Sequence, residues 1–418
     1  MAARRTTPSW WPFGGILAKR RPRRRFPGRN AARCRLRSAA PPPRPNRRHN
    51  RAMGAPIRPH ILRLRPYVQG KPSVISPGSD IVKLASNENP LGPSPRAVEA
   101  MARAAERAHQ YPDGGGTLLR EELSQRFDLP AGQILLGNGS DELLRMIGAV
   151  VLESPEDEVV CATPTFLVYE HTAHVVPATL KQAPLTDDFR HDLPAMAALI
   201  GPQTKIVFLA NPHNPTGTVV TRGEFERFLE RIPATVWVVL DEAYCEFLRD
   251  NADSPTSLDY VRQGRPVVGL RTFSKAYGLA GARCGYGFFP RDLADAIERA
   301  RQPFNVNALA QAGCLAALRD HEFLDRTLAN NRSGMLRIEE RVRRLGGQVS
   351  DSHANFVFAD FGRPTADLVS ALEAKSIYVR GGAGLGCPNA MRISVGTPEE
   401  VERFCAAIED CAVLGGAR

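Results

Sequence analysis

The chain has 418 residues, 43% of them hydrophobic and 24% charged, a balance that suits a globular protein with room for two or three domains. Its formal charge of +11 misleads as a guide to partners, because residues 1–52 hold 16 Lys and Arg and no acid, and the first acidic residue is Asp80. Taking those 16 from the total of 55 leaves 39 basic against 44 acidic residues, a mildly acidic body that argues against nucleic-acid or membrane partners.

In chain order, the first segment is rich in Arg, Pro and Ala and has no apolar periodicity, so residues 1–52 are expected to be disordered. A transit peptide, a nucleic-acid-binding tail and translated upstream sequence all fit this composition. The last is preferred, with the start at Met53, because ordinary sequence resumes there; the protein is then cytoplasmic, and organellar import stays open. Residues 53–95, rich in Pro, Gly and Asn, read as an arm. The eight cysteines are scattered, with no CxxC pair and no histidines at metal spacing, so free thiols in a reducing compartment and no metal site are expected. No stretch approaches the roughly 18 apolar residues of a membrane span.

Residues 96–305 alternate short apolar runs with amphipathic stretches. Strands are expected at Gln133–Leu136, Glu158–Cys161, Lys205–Leu209, Val236–Leu240, Val267–Arg271 and Cys284–Phe289. Helices are expected to begin near Ser94, Thr117, Ser140, Phe166, Thr221 and Lys275. This alternation predicts an α/β fold with a mostly parallel sheet flanked by helices. Residues 306–418 change pattern: a long helical region over 308–345, strands at Ala354–Ala359, Ile377–Val379 and Met391–Val395, and a closing helix from about Pro398. They read as a smaller α+β domain.

Ligands of an open parallel sheet bind beyond the carboxyl ends of its strands, which gives weight to the polar residues placed there. After the first strand, Gly139, Ser140 and Asp141 open a helix whose free N–H groups suit a phosphate, although a plain helix start fits the same residues. After the second, Phe166 is placed to stack on a planar ring or to serve as core. After the third, Asn214 lies in a proline-bounded turn and offers a side-chain amide, or turn chemistry alone. After the fourth, Asp241 ends an apolar strand; a buried carboxylate needs a partner, which a protonated ring nitrogen or a structural ion pair would supply. Tyr244 follows three residues later. After the fifth comes RTFSKAYGLAGARCGYG. Here Lys275 is a candidate Schiff-base amine, and Ser274, Arg283 and the surrounding glycines are a candidate anion cradle.

The segments GNGSDELL, ANPHNPTG, DEAY, SKAYGLAGAR, YVRGG and MRISVGT together resemble the fold-type I aminotransferases that use pyridoxal 5'-phosphate, and more narrowly the histidinol-phosphate aminotransferase family. The resemblance runs from about Leu62 to the C-terminus. It implies that Lys275 carries the cofactor and that Asp241 pairs with its ring nitrogen. Asn214 and Tyr244 would hold its ring oxygen, and Gly139, Ser140, Asp141, Ser274 and Arg283 its phosphate. Phe166 stands where many relatives have tyrosine. Arg392 and Arg380 resemble the family's anion-binding arginines. Tyr67 resembles an arm residue that reaches the neighbouring subunit, and Asn89 stands where some members place a tyrosine near the cofactor.

The implied reaction is a ping-pong transamination between L-histidinol phosphate and 2-oxoglutarate by a homodimer acting on small molecules. An aromatic amino acid aminotransferase and a phosphothreonine decarboxylase of the same family would use similar residues. A DNA-binding regulator that senses the cofactor would need a helix-turn-helix upstream, and residues 1–52 show no such pattern.

Overall fold

In the computed structural model, residues 57–64, 71, 79–250 and 252–415 are described. After a short strand at Val82–Leu84 (β1), seven strands form one sheet: Ile134–Gly137 (β2), Glu158–Thr163 (β3), Thr179–Pro184 (β4), Thr204–Ala210 (β5), Trp237–Asp241 (β6), Val267–Thr272 (β7) and Gly285–Phe288 (β8). Their order is β2-β8-β7-β6-β5-β3-β4. Only β8 runs against its neighbours.

Successive residues of a strand face opposite sides, and here both sides are covered. Val159, Cys161, Phe208, Val239 and Val268 pack with Leu143, Ile147 and Tyr169 from the helices Ser140–Val151 and Leu167–Val175. The alternate residues Val160, Val207, Leu209, Val238 and Leu240 pack with Met196, Phe225 and Phe228 on the other side. That two-sided burial explains why these strands read as near-continuous apolar runs. The structure is the α/β fold with a mostly parallel sheet and flanking helices that the pattern predicts.

The second sheet has Gln348–Val349 (β9), Phe356–Asp360 (β10), Ile377–Gly381 (β11) and Ala390–Ser394 (β12), in the order β1-β11-β12-β10-β9. Its core joins Val357, Val379, Met391 and Ile393 to Ile338, Leu372 and Phe404 from three helices. Part of the expected arm is therefore structural, since β1 pairs in parallel with β11.

Three further local expectations differ from the structure. No helix begins at Lys275: the segment is a turn with Gly278 at φ +68°, then one 3-10 turn at Ala280–Ala282 that ends on Arg283 at φ +58°. The helical region from Ala308 is two helices, Ala308–Leu318 and His321–Arg344, because Asp320 caps the second by accepting from the Phe323 amide. The edge strand β4 has the sequence TLKQAP, whose exposed polar positions hid it from an apolar search.

Candidate active site

The parallel strands β5, β6 and β7 end at one edge of the large sheet, facing β11 and β12, and a cavity of about 420 Å³ opens there. It is lined by Ser140, Asp141, Phe166, Asn214, Asp241, Tyr244, Ser274, Lys275, Arg283, Arg380 and Arg392, eleven of the residues singled out in the sequence.

One end is built for an anion. The helix Ser140–Val151 starts here with Gly139 as its N-cap, so no side chain covers its first amides. Arg283 donates to Ser274 Oγ at 3.3 Å and to Asp141 Oδ2 at 3.3 Å. The close approach depends on glycine. A Cβ on Gly139, whose φ is +76°, would lie 2.4 Å from Arg283 Nη2, and one on Gly285 would lie 2.5 Å from the Ser140 nitrogen. Gly139 thus stands behind the cavity wall and lets the guanidinium reach the helix terminus.

The floor holds Asp241, the last residue of β6 and 4% exposed. The Tyr169 hydroxyl donates to its Oδ2 at 2.7 Å and the Ala243 amide to its Oδ1 at 3.2 Å. Burial pushes the carboxyl up to about 6 despite those two bonds, and the neighbouring acids Asp141 and Glu242 push in the same direction. Glu242 points elsewhere, accepting from Ser257 and from Arg271 at 2.9 Å. Asp241 is therefore a buried acid with donors but with acidic charges around it, a setting that a cation in the cavity would complete.

Lys275 Nζ donates to the Ser86 carbonyl at 3.4 Å and lies 5.7 Å from the Tyr244 ring centroid. Asn214 is oriented by Arg392, whose Nη1 donates to Asn214 Oδ1 at 2.8 Å, so the Asn214 amide N–H groups are left for the cavity. Arg392 also donates to the Ala85 carbonyl at 2.8 Å and lies over the Phe356 ring. Arg380 and Arg392 occupy directly paired positions on β11 and β12, and both line the cavity. Two guanidiniums on one cavity wall suit an anionic ligand. Phe166 meets Tyr169 edge-on, with ring centroids 5.7 Å apart.

Tyr67 lies outside the described residues. Asn89 does not line the cavity: its amide donates to the Ala276 carbonyl at 2.9 Å and to Thr327 Oγ1 at 3.1 Å, and its oxygen accepts from the Leu91 amide at 3.0 Å. That fully used side chain braces the turn after Lys275 against the helix His321–Arg344. Sequence reasoning also missed two residues that touch the site. Tyr169 follows Phe166 by three positions and reads as core, and Asn87 was hidden among the asparagines and prolines of the arm. Its positive φ of 55° is a conformation that asparagine tolerates, and it shows only in the folded backbone.

A family model described as aminotransferase class I and II matches residues 79–408. The chain belongs to this family. It is 43% identical over 364 residues to histidinol-phosphate aminotransferase from Symbiobacterium thermophilum, covering 86% of this chain and 99% of the relative. It is 42% identical over 355 residues to histidinol-phosphate aminotransferase from Moorella thermoacetica, covering 84% and 91%. Among solved structures, histidinol-phosphate aminotransferase from Sinorhizobium meliloti in complex with pyridoxal-5'-phosphate superposes with a TM-score of 0.79 at 29% identity, covering 87% of this chain and all of that one.

Proposed function

We propose that this aminotransferase uses pyridoxal 5'-phosphate to move the amino group of L-histidinol phosphate to 2-oxoglutarate, giving imidazole-acetol phosphate and glutamate. The observation that carries this reading is Lys275 and Asp241 in one cavity with the register-paired Arg380 and Arg392. Planar guanidinium forks suit both the phosphate of the donor and the carboxylates of the acceptor. The names of the relatives above support the same choice.

The cavity residues fit the cofactor. The helix start at Ser140, with Ser274 and Arg283, makes a cradle for its phosphate, and that cradle exists only because Gly139 and Gly285 lack a Cβ. Asp241 offers the buried negative charge that a protonated ring nitrogen needs. Asn214 and Tyr244 would hold the ring oxygen, and Phe166 would lie against the ring. When bound, the cofactor supplies an electron-withdrawing ring that delocalises the electron pair left when a proton leaves the substrate carbon. The remaining work belongs to the chain. Lys275 Nζ anchors the cofactor and, once released, is the base that holds and returns the proton. Asp241 keeps the ring nitrogen protonated, while Arg380 and Arg392 orient the substrate's anionic end.

The same reading makes the protein a cytoplasmic homodimer in which the arm around Tyr67 completes the neighbour's site. It also divides the chain into an arm (53–95), a large domain (96–305) and a small one (306–418). A half-reaction panel tests the substrate: the cofactor-loaded protein is mixed separately with histidinol phosphate, phenylalanine, tyrosine, aspartate and phosphothreonine. The expected result is the highest kcat/KM for histidinol phosphate. A preference for phenylalanine or tyrosine would make it an aromatic amino acid aminotransferase, and carbon dioxide release from phosphothreonine would make it a decarboxylase.

A further inference from the structure

Asn87 is 1% exposed, lies in the chain between β1 and the helix Pro95–Ala105, and lines the cavity. All its polar groups are engaged. Its backbone N–H donates to Ser394 Oγ at 2.9 Å, and its carbonyl accepts from Asn355 Nδ2 at 3.0 Å. Its side-chain Oδ1 faces Ser394 Oγ at 2.8 Å, and its Nδ2 faces the Tyr244 hydroxyl at 2.9 Å.

Hydrogen-bond polarity fixes which way this chain of contacts runs. Ser394 Oγ already accepts from the Asn87 backbone, so its one proton has Asn87 Oδ1 as its acceptor. The reverse amide orientation would aim two donors at the Ser394 oxygen and leave the proton of a buried hydroxyl without a partner, an arrangement that costs free energy. The amide N–H therefore points at Tyr244, whose oxygen accepts. An oxygen that accepts from Asn87 must direct its own proton elsewhere, and the cavity is where Tyr244 is open.

We propose that Asn87 is a positioning residue that turns the Tyr244 hydroxyl into a proton donor toward the cofactor's ring oxygen. Through Ser394, two residues beyond Arg392 on β12, it also ties that donor to the strand that grips the substrate. The inference rests on the role given to Tyr244 above. A donor held on the ring oxygen favours its ionised form, so losing the donor raises the pH at which the bound cofactor's visible band titrates.

The test is a spectrophotometric pH titration of the protein loaded with pyridoxal 5'-phosphate. Tyr244→Phe is expected to raise the midpoint by about 1 to 2 pH units, the scale of one hydrogen bond to a charged oxygen. Asn87→Asp keeps the shape and the tolerance for positive φ but replaces the donor with an acceptor that draws the Tyr244 proton away. It should raise the midpoint by a similar amount. Ser394→Ala, a neutral change that frees the amide to reverse, should shift it in the same direction and carries the test if Asn87→Asp does not fold. In the Tyr244→Phe background neither change should add a further rise. A rise that persists there marks a charge or packing effect and overturns the proposal. So does a normal titration for Asn87→Asp and Ser394→Ala while Tyr244→Phe shifts it. If Tyr244→Phe itself leaves the midpoint unmoved, the role of Tyr244 is wrong and the relay falls with it.

Discussion

Replacing Asp241 with asparagine is expected to stabilise the cofactor-free protein while weakening its hold on the cofactor. Burial drives the effect: it pushes the Asp241 carboxyl from 3.8 up to about 6, against the opposing pull of the Tyr169 and Ala243 hydrogen bonds. Because the folded value lies above the unfolded one, the stability tied to this group is fully present below pH 3.8. It is lost as the pH rises through about 6. A gap of about 2 pH units corresponds to about 3 kcal/mol of destabilisation at neutral pH. Asparagine keeps the volume and can satisfy both donors' positions, since the Tyr169 hydroxyl can donate or accept. It forfeits about 1 kcal/mol of charge-assisted hydrogen bonding, which leaves a net gain of about 2 kcal/mol above pH 7.

The assay is urea denaturation of the cofactor-stripped wild type and Asp241→Asn at pH 7.5 and at pH 4. The difference should favour the variant at pH 7.5 and largely vanish at pH 4, where the folded wild-type carboxyl is already protonated. Cofactor affinity should move oppositely. Removing one member of a buried ion pair costs about 3 kcal/mol or more, so the dissociation constant should rise by about 100-fold or more. Equal stabilities at pH 7.5, or a difference that ignores pH, would refute the view of Asp241 as a buried charge awaiting a cation.

Other substitutions probe neighbouring parts of the site. Lys275→Ala should abolish turnover and remove the visible band of the lysine-linked cofactor; absorbance and activity that both persist would deny Lys275 its role. Arg283→Gln should raise the cofactor's dissociation constant by about 10- to 100-fold, the loss of one charge-assisted contact, with turnover largely restored at saturating cofactor. Tyr169→Phe removes the 2.7 Å bond that opposes the effect of burial on Asp241, so the acidic limit of cofactor binding should move to higher pH. An unmoved limit in a binding titration would show that the bond does not tune Asp241.

What the sequence revealed and what it hid follow from how each residue does its work. Asp241, Asn214 and Lys275 follow directly on apolar runs, and a parallel sheet brings such positions to one edge whatever the details of packing. Those residues were legible because strand ends are local features. Asn87 and Tyr169 act through contacts 157 and 72 positions away, and no local pattern encodes such a meeting. The Lys275 segment was misread as a helix because helical propensity counts single residues, whereas the turn is set by Gly278. Its φ of +68° and the Gly92 carbonyl 2.1 Å from where its Cβ would stand leave room for nothing larger. Asn89 shows the converse limit. It sits two residues from Asn87 in the same motif, yet its amide braces Ala276 and Thr327 while Asn87 reaches Tyr244. Residue type and motif locate the arm at the site. Only the direction of each side chain decides which asparagine touches the chemistry, and that direction is a property of the folded backbone.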